Sequence, residues 1–187
     1  MPTISNPQEV TREIRSVRQA RLYKPDPVPA DVLDELLEIA RWTGSSRNTQ
    51  PWEFIVITDR DLLRQISQIR TPINWVADAP LAIAIVLAGK DPLSEAFDEG
   101  RVSERLLIGA RLLGLGGGTA WFGDDNQQAQ GKQILGIPES RTVRTVISLG
   151  YPAEGTRRSR TGPARKPLSE ILHVERYGRK PTTPPVA

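Results

Sequence analysis

The sequence predicts a mixed α/β sandwich rather than a helix bundle, and three observations support this fold class. Amphipathic helical segments alternate with short β-branched segments along the chain of 187 residues. The segment 81–87, Leu-Ala-Ile-Ala-Ile-Val-Leu, is apolar on both faces, which is typical of a central strand covered by helices on each side. No repeat or interdomain linker interrupts the pattern, so we expect a single domain over residues 1–187.

The first half of the chain contains clear helix-start and strand signals. Asn6, followed by Pro7 and Glu9, has the pattern of a capped helix start. A linker punctuated by three prolines then leads to a second helix over residues 30–42. A polar loop separates this helix from a β-branched strand at 53–58, and Asp59 is placed to cap a short third helix.

The second half continues the alternation beyond the central strand. The pattern predicts a long helix over residues 94–113 that stops at Gly114, because glycine readily ends helices. Two further strands are expected at 119–122 and 142–149, with a helix at 127–135 between them. The tail is rich in proline and is expected to be extended.

Composition excludes several kinds of site. The chain has no cysteine, which excludes disulfides, thiolate metal sites and a cysteine nucleophile. Its only histidine is His173, which argues against most metal clusters and Ser-His arrangements. A net charge of +3 is too small to indicate nucleic-acid binding without a clustered patch. No segment resembles a signal peptide or could span a bilayer, so we expect a soluble, cytoplasmic protein without membrane contact.

The polar loop at residues 44–52, Gly-Ser-Ser-Arg-Asn-Thr-Gln-Pro-Trp, is the most informative segment. A loop that only reverses the chain needs about two to five residues. This loop instead carries several hydrogen-bonding side chains and ends in a rigid Pro-Trp pair. Such a loop suits a flat ligand with polar edges.

Two basic segments are candidates for anion binding. Arg15-Ser16-Val17-Arg18 places two guanidinium groups on neighbouring positions of a helix with a hydroxyl between them. This group can bind a phosphate, or it can be an ordinary solvated surface. The second cluster is compatible with a solvated loop, with nucleic-acid contact or with a cofactor phosphate, and it consists of Arg157, Arg158, Arg160, Arg165 and Lys166.

The glycine run Gly114-Leu-Gly116-Gly117-Gly118 has two interpretations. A dinucleotide-binding fingerprint requires a strand before the glycines and a helix after them, whereas here the order is reversed. A Rossmann site is therefore rejected. The run either ends the long helix in a left-handed cap and turn, or it allows the backbone to approach a ligand closely.

Four segments, in order along the chain, resemble the nitroreductase family of flavoproteins. They are Arg15-Ser16-Val17-Arg18, Ser45-Ser46-Arg47-Asn48-Thr49-Gln50-Pro51-Trp52, Leu113-Gly114-Leu115-Gly116 and Arg165-Lys166-Pro167-Leu168. The resemblance extends from about residue 10 to residue 172. It implies an α+β fold, a three-layer α-β-α sandwich with a mixed, mostly antiparallel sheet, and an extended tail from about residue 174.

The resemblance also implies an activity and a set of partners. Family members are homodimers that bind FMN at the subunit interface. They pass a hydride from NAD(P)H through flavin N5 to nitroaromatic, quinone or similar acceptors by a ping-pong mechanism. Because the flavin performs the hydride chemistry, no catalytic side chain and no metal are expected.

The site residues follow from the resemblance by position. Arg15, Ser16 and Arg18 would hold the FMN phosphate and ribityl chain. The loop of the partner subunit would touch the isoalloxazine ring, and the backbone near Trp121 would lie beside the flavin. The ring contacts expected from the loop are Ser45, Ser46, Asn48 and Gln50, those beside the flavin are Phe122 and Gly123, and Arg165 and Lys166 would complete the phosphate site.

Several alternatives stay open at this point. A same-fold flavoprotein could instead perform reductive dehalogenation, flavin destruction or flavin storage, and the basic C-terminal region could serve nucleic-acid binding or a structural role. Many relatives have proline where this chain has Gly44. The segment 89–94 is short where larger relatives often carry a substrate-covering insertion, which predicts an open active site or a different substrate lid. Trp42, Trp52 and Trp75 could fill the core or face a partner.

Overall fold

The computed structural model describes residues 6–154 and 165–181. It separates into two compact units, residues 1–156 and residues 157–187. The first unit is an α+β sandwich, which confirms the predicted fold class. Residues 157, 158 and 160 of the second basic cluster lie outside the described residues.

The helices and strands alternate in the predicted order. The helices of the first unit are α1 (Pro7–Ser16), α2 (Ala30–Arg41), α3 (Arg60–Gln68), α4 (Pro92–Leu112) and α5 (Asp125–Leu135). The strands are β1 (Trp52–Ile57), β2 (Leu81–Leu87), β3 (Gly116–Trp121) and β4 (Thr142–Gly150). Two 3-10 segments, Ser46–Asn48 and Thr71–Asp78, were not predicted.

The predicted caps are confirmed. The Asn6 side chain accepts the Glu9 N–H at 3.1 Å, and its amide nitrogen donates to the Glu9 carboxylate at 3.1 Å. The Asp59 carboxylate accepts the N–H groups of Asp61 and Leu62 at the start of α3. Asp124 caps α5 in the same way.

The sheet has the strand order β1-β2-β4-β3, and each neighbouring pair is antiparallel. A single parallel bridge joins Gln19 to Gly117 at its edge. The expectation of a mostly antiparallel sheet is therefore confirmed.

Strand β2 separates two hydrophobic cores. Its residues Leu81, Ile83, Ile85 and Leu87 face the helices α2 and α4, whereas its alanines and Val86 face α3, α5 and the 3-10 segment Thr71–Asp78. Alternating residues of one strand thus enter opposite cores, as the pleat requires. This arrangement gives the three layers that were expected.

The tryptophans divide between the two interpretations. Trp52 and Trp75 are 8% and 9% exposed and belong to the two cores. Trp42, which ends α2, is 71% exposed. Of these three tryptophans, Trp42 is the one exposed enough to contact a partner.

The glycine run ends α4 and then forms the first half of β3. Gly114 has a φ of 79°, so the left-handed helix end is confirmed. The strand begins at Gly116, three residues before the predicted start, because glycines 116–118 pair with β4 rather than forming a turn. A Cβ on Gly118 would lie 2.4 Å from the Ala20 carbonyl oxygen, so the close approach that glycine permits here is to protein backbone.

The second unit contains the short helix α6 (Leu168–Ile171). Lys180 Nζ donates to the carbonyl oxygens of Ser169 and Glu170 near this helix, at 2.9 Å each. The rings of His173 and Tyr177 stack with their centroids 4.5 Å apart. Among the described residues, no helix is long and apolar enough to cross a membrane.

Candidate cofactor site

The end of α1 opens into a small cleft of about 180 Å³. Ser16 is the last helical residue, and the chain then runs extended from Val17 to Ala20 beside β3, held by the bond from Ala20 N–H to Gly117 O at 2.8 Å. The cleft therefore has a helix end on one side and the glycine strand on the other. Its lining includes Ser16, Arg18, Gln19, Arg111, Gly116 and Gly117.

The cleft keeps positive charge on Arg18, because the nearby carboxylate of Glu13 pairs with Arg111 instead. Within the described residues, Arg15 and Arg18 form no ion pair, and one Arg18 nitrogen donates to the carbonyl oxygens of Arg15 and Val17. Arg111 pairs with Glu13 at 2.6 Å, and this hydrogen bond lowers the pKa of the Glu13 carboxyl. Glu13 is therefore ionised and engaged, and the guanidinium groups of Arg15 and Arg18 remain for an anion.

Ser16 and Gln19 are already engaged within the protein. The Ser16 hydroxyl donates to the Glu13 carbonyl oxygen at 2.7 Å, as expected for a serine in the last turn of a helix. The Gln19 side-chain oxygen accepts the Thr119 N–H at 2.6 Å. These bonds fix the extended segment against β3, so the position of Arg18 is set by the strand.

The polar loop has a strained backbone. Arg47, Asn48 and Gln50 have φ values of 51°, 55° and 46°, which is the left-handed region that residues other than glycine rarely adopt. The Gln50 N–H donates to the Ser45 hydroxyl at 2.8 Å. Such clusters of strained residues are concentrated at ligand sites.

The side chains at the loop tip are unengaged. In the described part of the chain, Ser46, Arg47 and Asn48 make no side-chain hydrogen bond, and all three are exposed. A hydroxyl, a guanidinium and an amide are thus presented to solvent on a constrained backbone. This arrangement can hydrogen-bond a flat polar ligand.

Helix α4 holds the loop through a buried carboxylate. Asp98 is 1% exposed, and its two oxygens lie 3.2 and 3.0 Å from the Ser46 nitrogen. Arg101 Nη1 donates to Asp98 at 3.1 Å and lies 3.4 Å from the Gly44 carbonyl oxygen. The loop is therefore fixed from below by side chains of one helix.

Backbone groups at the end of β3 and just after it are engaged within the protein. Phe122 is fully buried in the core, and its N–H donates to the Arg144 carbonyl oxygen at 2.8 Å. The Gly123 N–H donates to the Gln127 side chain at 2.7 Å. Arg70 bonds the Trp121 carbonyl oxygen at 3.1 Å and lies over the Trp121 ring. The Phe122 side chain is consequently unavailable to a surface ligand.

One chain does not bring the cleft and the loop together. The loop is held at Asp98 of α4 and the end of α1 at Arg111, thirteen residues later, which corresponds to about 20 Å along the helix. The cleft contains no loop residue. Arg165 and Lys166 belong to the second unit, so their part in the phosphate site stays a prediction.

Three contributors were missed by the motif analysis: Asp98, Arg101 and Arg111 on α4. Asp98 could have been found from the sequence. The core-facing side of α4 carries Val102 and Leu106, and one turn earlier the same side carries carboxylates. A charged residue at a core-facing position indicates a specific partner. Nothing local marks Arg111, because its partner Glu13 lies on α1.

Comparison with known proteins is consistent with this geometry. Residues 12–86 match the model of a family described as "Nitroreductase family". A protein of Archaeoglobus fulgidus named "Putative NADH dehydrogenase/NAD(P)H nitroreductase" is 31% identical over 157 residues, covering 79% of this chain and 87% of the relative. A protein of the same name from Methanothermobacter thermautotrophicus is 33% identical over 158 residues, covering 80% of this chain and 81% of the relative.

A solved structure is similar over nearly its full length. The FMN-dependent nitroreductase from Clostridium difficile R20291 has a TM-score of 0.77 and 27% sequence identity. The match covers 88% of this chain and 98% of that protein. The similarity therefore extends beyond residues 12–86, which the family model matches, to the fold of most of the chain.

Proposed function

The chain belongs to the nitroreductase family, and on that premise we propose that it is an FMN-dependent enzyme that uses NAD(P)H to reduce nitroaromatic, quinone or similar acceptors in two half-reactions. The family assignment makes it an oxidoreductase. The observation that carries the FMN proposal is the cleft at the end of α1: Arg18 lines it, Arg15 lies in the last turn of the helix beside it, and neither forms an ion pair with any residue that the structure describes.

The cleft has the chemistry that a phosphate requires. A phosphate monoester carries a charge of about −1.5 to −2 at neutral pH and accepts several hydrogen bonds. Arg15 and Arg18 supply cationic donors, and Ser16 adds a hydroxyl that can turn from the Glu13 carbonyl oxygen towards a ligand. The residues present therefore fit the phosphate of FMN.

The loop has the chemistry that a flavin ring requires. Ser46 and Asn48 present free hydrogen-bonding groups, and Ser45 and Gln50 hold the backbone turn between them. Bound FMN would supply the hydride chemistry, while these residues bind and orient the ring. No side chain of the loop needs to exchange a proton.

A homodimer is part of the same proposal. The loop and the phosphate cleft lie at separate ends of α4, so a loop from a second copy could complete the site where the chain's own loop is remote. Large apolar side chains beside the loop support this. Trp42, Leu93 and Phe97 are 71%, 74% and 69% exposed, and a group of large exposed apolar side chains is typical of a surface that a partner covers.

The first experiment tests the activity itself. Purified protein should carry or take up FMN, lose its flavin colour under anaerobic NADH or NADPH, and regain the colour when a nitroaromatic or a quinone is added. Failure to bind FMN would overturn the proposal. Binding without reduction by either nucleotide would favour the flavin-storage alternative.

A second experiment tests the phosphate cleft. Arg18→Gln removes one charge-assisted hydrogen bond, worth about 1.5–3 kcal/mol, so FMN should bind about 10- to 150-fold more weakly. Riboflavin, which lacks the phosphate, should bind the variant as it binds the original protein. The control is Arg12→Gln, which removes the same charge from α1 at a residue that pairs with Glu9 and Glu13 instead. Equal losses for FMN and riboflavin would place the phosphate elsewhere.

A further inference from the structure

We propose that Asp98 is a positioning residue that holds the 44–50 loop in the conformation that contacts the flavin ring. This inference rests on the proposed function. Asp98 itself lies beneath the loop, 1% exposed, and its carboxylate contacts the loop backbone rather than the ligand. Its effect on flavin binding would pass through the backbone of Ser46.

The bond between Asp98 and the loop is charge-assisted and sheltered from water. The Ser46 N–H is directed at both carboxylate oxygens, at 3.2 and 3.0 Å. Arg101 partly neutralises the carboxylate at 3.1 Å. A bond of this type is about twice as strong as one between neutral groups, so Asp98 fixes the direction of the Ser46 N–H and of the residue that follows it.

The loop needs such an external restraint. Arg47, Asn48 and Gln50 follow Ser46 at once and all have positive φ. Each left-handed residue other than glycine is disfavoured by its own backbone. Among the described residues, the side-chain bonds within the loop run from the Gln50 N–H to the Ser45 hydroxyl and from the Gln50 amide to the Asn48 carbonyl oxygen. Without the bond at Ser46, the chain would relax towards ordinary backbone angles and would displace the free side chains of Ser46 and Asn48.

Two further bonds hold the start of the loop to the same helix. Arg101 Nη1 lies 3.4 Å from the Gly44 carbonyl oxygen, and Arg105 Nη1 donates to the Trp42 carbonyl oxygen at 3.0 Å. Asp98, Arg101 and Arg105 are three and four residues apart and so share one face of α4. That face holds the loop from Trp42 to Ser46 and leaves the ligand-facing residues free.

The same helix provides a matched control. Glu95 is 4% exposed and accepts the N–H groups of Gly89, Lys90 and Asp91 at 3.0, 2.8 and 3.2 Å. It is therefore a second buried carboxylate, one turn away, that holds a different backbone segment. Glu95→Gln should lower the melting temperature about as much as Asp98→Asn without loosening the 44–50 loop.

The test compares Asp98→Asn with Glu95→Gln in two assays. The first is the rate of trypsin cleavage after Arg47 in the flavin-free protein, followed by mass spectrometry of the fragment 48–187. The second is the dissociation constant for FMN and for riboflavin, measured by flavin fluorescence well below the melting temperature. Arg101 is half-exposed, so Arg101→Gln should leave the fold intact while weakening the same restraint on the loop less than Asp98→Asn does.

We expect Asp98→Asn to speed cleavage after Arg47 about tenfold and to weaken both FMN and riboflavin about tenfold, which corresponds to about 1.4 kcal/mol. The ratio of the two constants, which reports the phosphate cleft, should not change. Arg101→Gln should shift both assays in the same direction by a smaller factor. If the cleavage rate after Arg47 and the flavin affinity of Asp98→Asn equal those of Glu95→Gln, the proposed positioning role of Asp98 is wrong. If the unaltered protein binds no flavin, the proposed function fails instead, and the cleavage assay still reports on the loop.

Discussion

Gly118 is the position at which one added methyl group should most disturb both stability and the cleft. A Cβ at this residue would lie 2.4 Å from the Ala20 carbonyl oxygen and 2.8 Å from Trp75 Cζ3. Ordinary contact begins at 3.4 Å, so the two distances are about 1.0 and 0.6 Å too short. Neither neighbour can yield easily, because Ala20 is held to Gly117 by its backbone and Trp75 is bonded to the Pro72 carbonyl oxygen.

Gly118→Ala should therefore destabilise the protein by about 1–3 kcal/mol, the usual cost of overpacking a tight interior. For a chain of this size, a loss of 2 kcal/mol corresponds to a fall of about 4–8 °C in melting temperature. Because relief requires moving Ala20, the change should also displace Arg18 two residues earlier. FMN affinity should fall along with stability.

The neighbouring glycine is the control. A Cβ at Gly117 would meet Leu107 Cδ2 at 2.6 Å, but this atom is the far end of a flexible side chain and can rotate away. Gly117→Ala should cost at least about 1 kcal/mol less than Gly118→Ala. Urea unfolding followed by tryptophan fluorescence, with equal m-values, measures both. A loss from Gly117→Ala equal to or larger than that from Gly118→Ala would refute the reasoning.

Two further predictions concern the alkaline range and the loop. Burial raises the pKa of Tyr23 to about 12. Above about pH 10 the unfolded chain therefore loses a proton that the folded chain keeps, and the free energy of unfolding should fall by about 1.4 kcal/mol per pH unit up to about pH 12. Tyr23→Phe should remove this slope in urea unfolding. An unchanged slope would assign the effect to another group. Arg47 has a positive φ, and a glycine there would relieve about 1–2 kcal/mol of backbone strain. Ordering the more flexible glycine on folding would cost about 0.5–1 kcal/mol. Arg47→Gly should therefore stabilise the flavin-free protein by about 0.5–1 kcal/mol. A lower melting temperature for this variant would contradict the strain argument.

Local chemistry made much of the fold predictable. Caps such as Asn6 and Asp59 act within three residues, and their side-chain bonds form where the pattern placed them. Strand β2 was predicted with its observed bounds, because an apolar run of seven residues covered on both faces has few alternatives. The start of β3 was misplaced because glycine has no strand preference of its own. Gly116 joins the sheet through pairing with β4, which no local pattern encodes.

The segments that form the candidate site were predictable from the sequence, but the residues that hold them in place were not. The loop and the arginine segment can be recognised from their composition, because both are rich in hydrogen-bonding side chains. What fixes them is distant in sequence: Asp98 is 52 residues from Ser46, and Arg111 is 98 residues from Glu13. The same limit applies to Phe122, whose aromatic side chain could have faced either layer and lies in the core.

The placement of charge along α4 connects these observations. The second half of the helix packs through Val102, Leu106 and Ala110, whereas three buried carboxylates occupy the first half. Burying a carboxylate is costly unless it is fully bonded, so apolar residues would serve packing alone better. Glu95 and Asp98 instead hold backbone N–H groups of irregular segments, and Glu99 pairs with Arg144 of β4. Apolar contact cannot orient an N–H group, because it has no direction. Two of the three buried charges therefore lie where irregular backbone must be held in place, and the apolar residues lie where the helix only needs to pack.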